Sequence, residues 1–241
     1  MQQSFTGGMK VHSVQVSPSV TGAPPTDYSV AGRALRSMQP VKKTVYEFTV
    51  DAGYLHQYRL LREELSIGLC GGQHASAKEE ASDAASQFLI ARRGLHCFAG
   101  GRLTMSVPSR RQKLPVEQSG IDLAAFFPEL KLSQHSYAEF SRFAMLPEFR
   151  DSGALQELTR SLIRCAIADG VEYIFITAPI AVAFDFHKAA ERLGARSDIR
   201  GDIRLPENEA EEGAHLTLSV MDLTPLMPIS SRAVENKLIA D

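Results

Sequence analysis

Tyr137-Ala-Glu-Phe-Ser-Arg-Phe-Ala-Met-Leu-Pro-Glu-Phe-Arg-Asp-Ser-Gly-Ala154 is the stretch on which the reading of this chain turns. It predicts a strand that empties through a tight turn into a helix N-terminus, because Leu155, Leu158, Leu162 and Ala166 follow at helical spacing. A helix start presents amide N–H groups without intrahelical partners and the positive end of the peptide dipoles. A turn with small side chains there can therefore hold a phosphate on main-chain amides. Arg150, Asp151, Ser152, Gly153 and Ala154 are the candidate phosphate-binding turn. An ordinary strand-to-helix connection fits the same pattern.

Downstream, residues 171–178 read as an apolar strand. Pro179 suits the start of a second helix, with Val182, Phe186, Ala189 and Leu193 on its buried face and Gly194 at its end. A polar strand follows at 197–205. Leu216, Leu218 and Val220 alternate with Thr217 and Ser219, the pattern of a half-buried antiparallel strand. Upstream, 45–50 reads as a strand, Tyr54, Tyr58, Leu61 and Leu65 mark a helix face, and 68–72 ends that helix. Strands at 87–92 and 97–107, joined by Arg93-Gly94, form a hairpin. The connection 108–136, carrying Phe126-Phe127-Pro128, is long enough to expect that it covers a site.

Composition narrows the function. A 241-residue chain with 44% hydrophobic residues can bury a large core, and one domain over 41–225 is expected, with a loosely ordered arm at 1–40 and a tail at 226–241. Net charge is −2 and the basic residues are scattered, so nucleic acid is not an expected partner. Cys70, Cys97 and Cys165 are odd in number and far apart, with no His at ligand spacing. A disulfide framework and a metal site are therefore not expected. No apolar run approaches membrane-spanning length and residues 1–10 lack the apolar core of a signal peptide, so the expectation is a cytoplasmic protein without integral membrane contact.

The run Arg150-Asp151-Ser152-Gly153-Ala154 resembles the acyl-donor loop of the GNAT N-acyltransferases, although Leu155 stands where a last small residue is usual. The element order is similar to theirs as well. The resemblance implies an α/β (α+β) GNAT fold, with a central mixed, splayed sheet flanked by helices. It also implies that strand 4 and the strand at 171–178 diverge to make a donor cleft. Within that superfamily the chain is similar to the acyl-homoserine lactone synthases and N-acyl amino acid synthases. Glu139-Phe140-Ser141-Arg142-Phe143 resembles the Glu-x-Ser-Arg-Phe of their fourth strand, Gly101-Arg102-Leu103 a Gly-x-x-Arg-Leu region of their third, and Glu80-Ala81-Ser82-Asp83 the acidic pair before their second. Arg59 or Arg62 stands where they keep a helix Arg. The lactone synthases follow that Arg with a Phe and a Trp, whereas this chain has Glu63, Ser66 and no Trp, which disfavours the lactone-forming acceptor.

What the resemblance implies chemically is aminolysis of a thioester, which needs no covalent enzyme intermediate, with no bound cofactor: acyl-ACP or acyl-CoA is the co-substrate. Main-chain amides near Ala144 and Met145 would polarise the carbonyl. Glu139 is the candidate base, which requires a raised pKa or a water relay; the alternative is that it pairs with an arginine. Asp83, Arg102 and Arg142 are read as orienting the acceptor's carboxylate, or else as a surface ion-pair set. Glu139 and Arg142 are an odd number of residues apart and can share a face only across a β-bulge.

Many GNAT enzymes carry a general-acid Tyr where Ala190 stands here; His187, one turn back, is a weak substitute. An acidic acyl carrier protein would dock on a basic face, for which Arg92-Arg93 and Arg110-Arg111-Gln112-Lys113 are candidates, and it is preferred over CoA as the donor. The small amine or amino acid acceptor is expected to meet a fatty chain held in a tunnel walled by strand 4, strand 5, Phe126 and Phe127. An N-acyl amino acid synthase is the first reading, with an autoinducer lactone synthase or an inert GNAT-fold module as alternatives.

Overall fold

Side chains alternate across a β-strand, so a sheet has two faces that must be covered separately. The computed structural model describes residues 43–69, 81–203, 205 and 216–228. The expected N-terminal arm, Cys70, Glu80 and the tail beyond 228 lie outside the described residues. The strands are β1 (Thr44–Thr49), β2 (Ser86–Arg93), β3 (His96–Ser106), β4 (Tyr137–Met145), β5 (Tyr173–Pro179), β6 (Arg196–Arg200) and β7 (Leu216–Asp222). They form one sheet in the order β1-β2-β3-β4-β5-β7-β6. The β4–β5 pair is parallel and all other neighbours are antiparallel, so the sheet is mixed, as expected.

One face is covered by α4 (Ala154–Ala168) and α5 (Ile180–Arg192). Leu158, Leu162, Ala166, Phe186 and Ala190 pack there on Ala138, Phe140, Ile174, Ile176 and Ala178 of the strands. The other face has two separate covers. Over β2 and β3 lies α1 (Ala52–Leu69), whose Tyr58 and Leu61 meet Phe88 and Ile90. Over β5 and β7 lies the long connection before β4, folded into α2 (Pro115–Gln118), α3 (Leu123–Phe126) and a 3-10 turn at Pro128–Leu130. Its Leu114, Val116, Leu123 and Phe127 build a core with Tyr137, Phe175, Leu218 and Val220.

The sequence marked this connection only by its length. It is ordered locally by caps: Asp122 Oδ1 accepts the Ala125 amide at 3.1 Å, and Glu117 Oε2 accepts the Leu114 amide at 2.8 Å. Phe127, expected as a tunnel wall, is buried against the Phe175 ring with 5.3 Å between centroids, while Phe126 is partly exposed.

The parting of β4 from β5 positions the site. Their register runs from Tyr137↔Tyr173 to Phe140↔Ile176 and stops there, although both strands continue. β4 stays with β3 as far as Met145, and β5 stays with β7 as far as Pro179. The sheet therefore opens into a cleft between the C-terminal ends of β4 and β5, as the sequence led us to expect.

Candidate active site

Between the two covers of the second face runs a buried polar strip. Arg102, Thr104 and Ser106 of β3 lie opposite Ser141, Glu139 and Tyr137 of β4, and Thr177 projects from the same face of β5. Arg102 is only 2% exposed. Its Nη1 donates to Asp83 Oδ1 at 2.8 Å and its Nη2 to Ser141 Oγ at 3.4 Å. Glu139, also 2% exposed, accepts the Val116 amide on Oε2 at 2.7 Å and the Thr177 hydroxyl on Oε1 at 3.3 Å. Burial raises the Glu139 carboxyl above the ordinary carboxylate range, against the opposing pull of the Val116 amide and the Arg102 charge. With Ser141 as a further hydrogen-bond partner, the carboxylate meets groups from β3, β4, β5 and the connection before β4.

The bulge that Glu139 and Arg142 require is present. Arg102 pairs with Ser141 and Gly100 with Ala144, so Arg142 and Phe143 together oppose Gly101. Arg142 has φ 56°, the left-handed region that favours glycine. Its carbonyl accepts the Tyr58 hydroxyl at 2.5 Å. The Tyr58 phenol is fully buried and pushed up to about 12 by that burial, with the charges of Arg62, Arg102, Arg142 and Asp83 all acting on it. Arg142 thus shares a neighbourhood with Arg102 and Asp83.

Beyond the bulge the amides divide. Leu146 N donates to Phe98 O at 2.9 Å, so alternation directs the Ala144 amide to β3 and the Met145 amide to the side that β5 has left. Next comes the 3-10 segment Pro147–Ser152, which includes Arg150 and Asp151; Arg150 is exposed. Gly153 follows with φ 76° as the residue before α4, and no described side chain caps that helix. Ser152 Oγ donates instead to Phe149 O at 2.6 Å, and Ala154 is buried. Among the described residues the first-turn amides of α4 therefore have no side-chain acceptor, the condition for an anion site at a helix start.

The structure brings Asp83, Arg102, Glu139 and Arg142 into one neighbourhood and sets the Arg150–Ala154 turn at the end of β4. It places other sequence candidates elsewhere. Arg92 is engaged by Glu47 at 2.6 Å, and Arg111 donates to the carbonyls of Ser106 and Ser133. Arg93, beside the His96 end of β3, and Arg110 and Lys113, past its Ser106 end, are exposed at opposite ends of that strand. His187 Nε2 stands 3.5 Å from Glu191 Oε1 on its own helix. Sequence reasoning gave no role to Ser141, Thr177, Val116 or Tyr58. Ser141 had a signal, since it is two residues from Glu139 and must share its face. The other three arrive from distant elements and had none.

No family model matches the chain, and no curated protein matches it in sequence. Solved structures do resemble it. FeeM, an N-acyl amino acid synthase from uncultured soil microbes, superposes with a TM-score of 0.53 at 11% identity, covering 79% of this chain and 98% of that one. The AHL synthase LasI gives a TM-score of 0.48 at 16% identity over 76% of this chain and 91% of that one. The CoA-dependent acyl-homoserine lactone synthase BjaI, solved with MTA, gives 0.46 at 15% over 79% and 83%. The strand order, the parting of β4 from β5 and the FeeM superposition define the fold as that of the GNAT acyltransferases.

Proposed function

We propose that this protein is an N-acyltransferase that moves an acyl group from an acyl carrier protein or CoA thioester to the amine of an amino-acid-like acceptor. The observation that supports it most is the position of the Glu139 carboxylate, buried with a raised pKa on the strand whose outer end lines the cleft. In the reaction the acceptor ammonium gives a proton to Glu139, directly or through water, and the neutral nitrogen attacks the thioester carbonyl. The carbonyl oxygen gains negative charge opposite the Met145 amide, which β5 leaves unoccupied. The carbon–nitrogen bond forms, the attacking nitrogen gives up its second proton to solvent, the carbon–sulfur bond breaks, and the departing thiolate takes a proton from solvent.

Arg142, part exposed at the bulge, supplies the planar guanidinium for the acceptor's carboxylate. Arg102, clamped by Asp83 and Ser141, holds the positive field behind it. The donor's phosphate lies on the amides after Gly153 with Arg150 beside them. The likeness to FeeM, whose own description is an N-acyl amino acid synthase, and the absence of Trp both favour an amino acid acceptor over a lactone-forming one.

Mass spectrometry of lipid extracts from cells overproducing the protein tests this directly, because it reads both halves of the product. N-acyl amino acids that are absent from cells making Glu139→Gln support the reading. Acyl-homoserine lactones in their place, or no new acylated amine at all, overturn it.

A further inference from the structure

The polar strip and the donor cleft meet at a single backbone irregularity, and Tyr58 holds it. α1 crosses β3 where Gly100 and Gly101 remove both Cβ atoms from the strand. A Cβ on Gly100 would stand 2.7 Å from Tyr58 Cδ2 and 3.0 Å from Leu89 O, so only glycine lets the phenol ring lie flat on β3 at that point. A Cβ on Gly101, on the opposite face, would meet Phe140 Cζ at 2.2 Å. The ring seated on Gly100 carries its hydroxyl across β3 to β4, where it donates to the carbonyl of Arg142, the residue with φ 56°.

We propose that Tyr58 is a positioning residue for acyl transfer, which fixes the β4 bulge and thereby both the Arg142 guanidinium and the Met145 amide. The proposal rests on the N-acyltransferase reading of the site. Its physical basis is independent of that reading. A non-glycine residue in the left-handed region persists only when its surroundings over-determine it. The Tyr58 bond is a long-range constraint on that peptide, spanning 84 residues of sequence. The peptide it fixes lies between Ser141, which binds Arg102, and Met145, which faces the cleft. A rotation of the Arg142 peptide would move the acceptor-binding charge and the carbonyl-polarising amide together.

Two variants of the full chain test this. Tyr58→Phe keeps the ring on Gly100 and removes the hydroxyl; Gly100→Ala keeps the hydroxyl and displaces the ring. Amide hydrogen exchange is measured residue by residue, and steady-state turnover is measured with an acyl thioester and an amino acid. Both variants are expected to raise exchange at Ala144 and Leu146, whose amides point to β3, by about tenfold, the equivalent of one lost hydrogen bond, with β1 and β7 unchanged. kcat per folded molecule should fall at least as far while KM for the thioester holds. The double variant should be no worse than the poorer single one, because both act through one bond. Unchanged exchange at those amides, or an equal rise throughout the sheet, overturns the proposal. So does a local rise with undiminished kcat. A wild-type protein that transfers no acyl group overturns the reading of the site and the positioning role with it, while the exchange comparison still decides whether Tyr58 holds the bulge.

Discussion

Glu139 and Val116 are joined by a 2.7 Å hydrogen bond, donated by the Val116 backbone amide to the Glu139 carboxylate, which ties the connection before β4 to the floor of the sheet. The same carboxylate is thus a structural anchor and, in the reaction we propose, the acceptor for a substrate proton. Glu139→Gln separates the two duties, since a Gln carbonyl still accepts the Val116 amide but takes up no proton at useful pH. Turnover should fall by about 10²-fold to 10⁴-fold with little change in melting temperature. A loss below about threefold assigns Glu139 to anchoring alone.

The same variant has a pH signature. Burial raises the Glu139 pKa in the folded chain, so the folded state binds its proton more tightly than the unfolded state does. The resulting stabilisation is fully present below the unfolded carboxyl pKa and is lost as pH rises through the folded value. Thermal melts of wild type and Glu139→Gln across pH 4 to 8 should therefore show the variant gaining on the wild type as pH increases. A constant difference over that range rejects the assignment.

Asp83→Ala removes the carboxylate that holds Arg102, leaving a guanidinium at 2% exposure without that partner. Breaking a buried ion pair from one side costs roughly 3 to 5 kcal/mol. Denaturant unfolding should register a loss of that order. A change below about 1 kcal/mol would mean that water or Ser141 compensates.

At the alkaline end Tyr58 is the reporter. Its hydroxyl is pushed up to about 12 by burial, above the ordinary tyrosine value of 10.0, so the folded chain keeps this proton when the unfolded chain has lost it. That difference stabilises the protein below pH 10 and is lost as pH rises toward 12. Tyr58→Phe, which has no proton to lose, should show a shallower decline in stability over that interval, by up to about 3 kcal/mol. Identical alkaline limbs would place the phenol in a wetter setting.

Much of this architecture was legible because it is written in local periodicity. The 137–154 stretch held the strand, turn and helix in sequence, and the hairpin of β2 and β3 was marked by Arg93-Gly94. The partnership of Asp83 with Arg102 was visible as a resemblance, and the need for a bulge as an odd spacing. What stayed hidden depends on register and long-range closure. Tyr58 reads as one more apolar position on a helix face, and only the crossing of α1 over Gly100 reveals its hydroxyl as the partner of Arg142. To the Glu139 carboxylate Val116 contributes only its amide, which no side-chain pattern can announce. Arg142 itself carried no hint of a positive φ, since left-handed positions are usually signalled by Gly or Asn.

With the acceptor-binding role we propose for Arg142, selection and thermodynamics stand in opposition at one backbone position. A left-handed conformation costs an L-residue about 1 to 2 kcal/mol that glycine avoids. The least strained sequence would thus carry a glycine in place of Arg142, and no guanidinium with it. Procedures that optimise folding alone, whether by directed screening for heat tolerance or by redesign of the strand, are drawn toward Arg142→Gly and would discard the side chain while improving the melt. Stabilised descendants of this protein should accordingly be checked for turnover at each round, because here ruggedness and chemistry point to different amino acids.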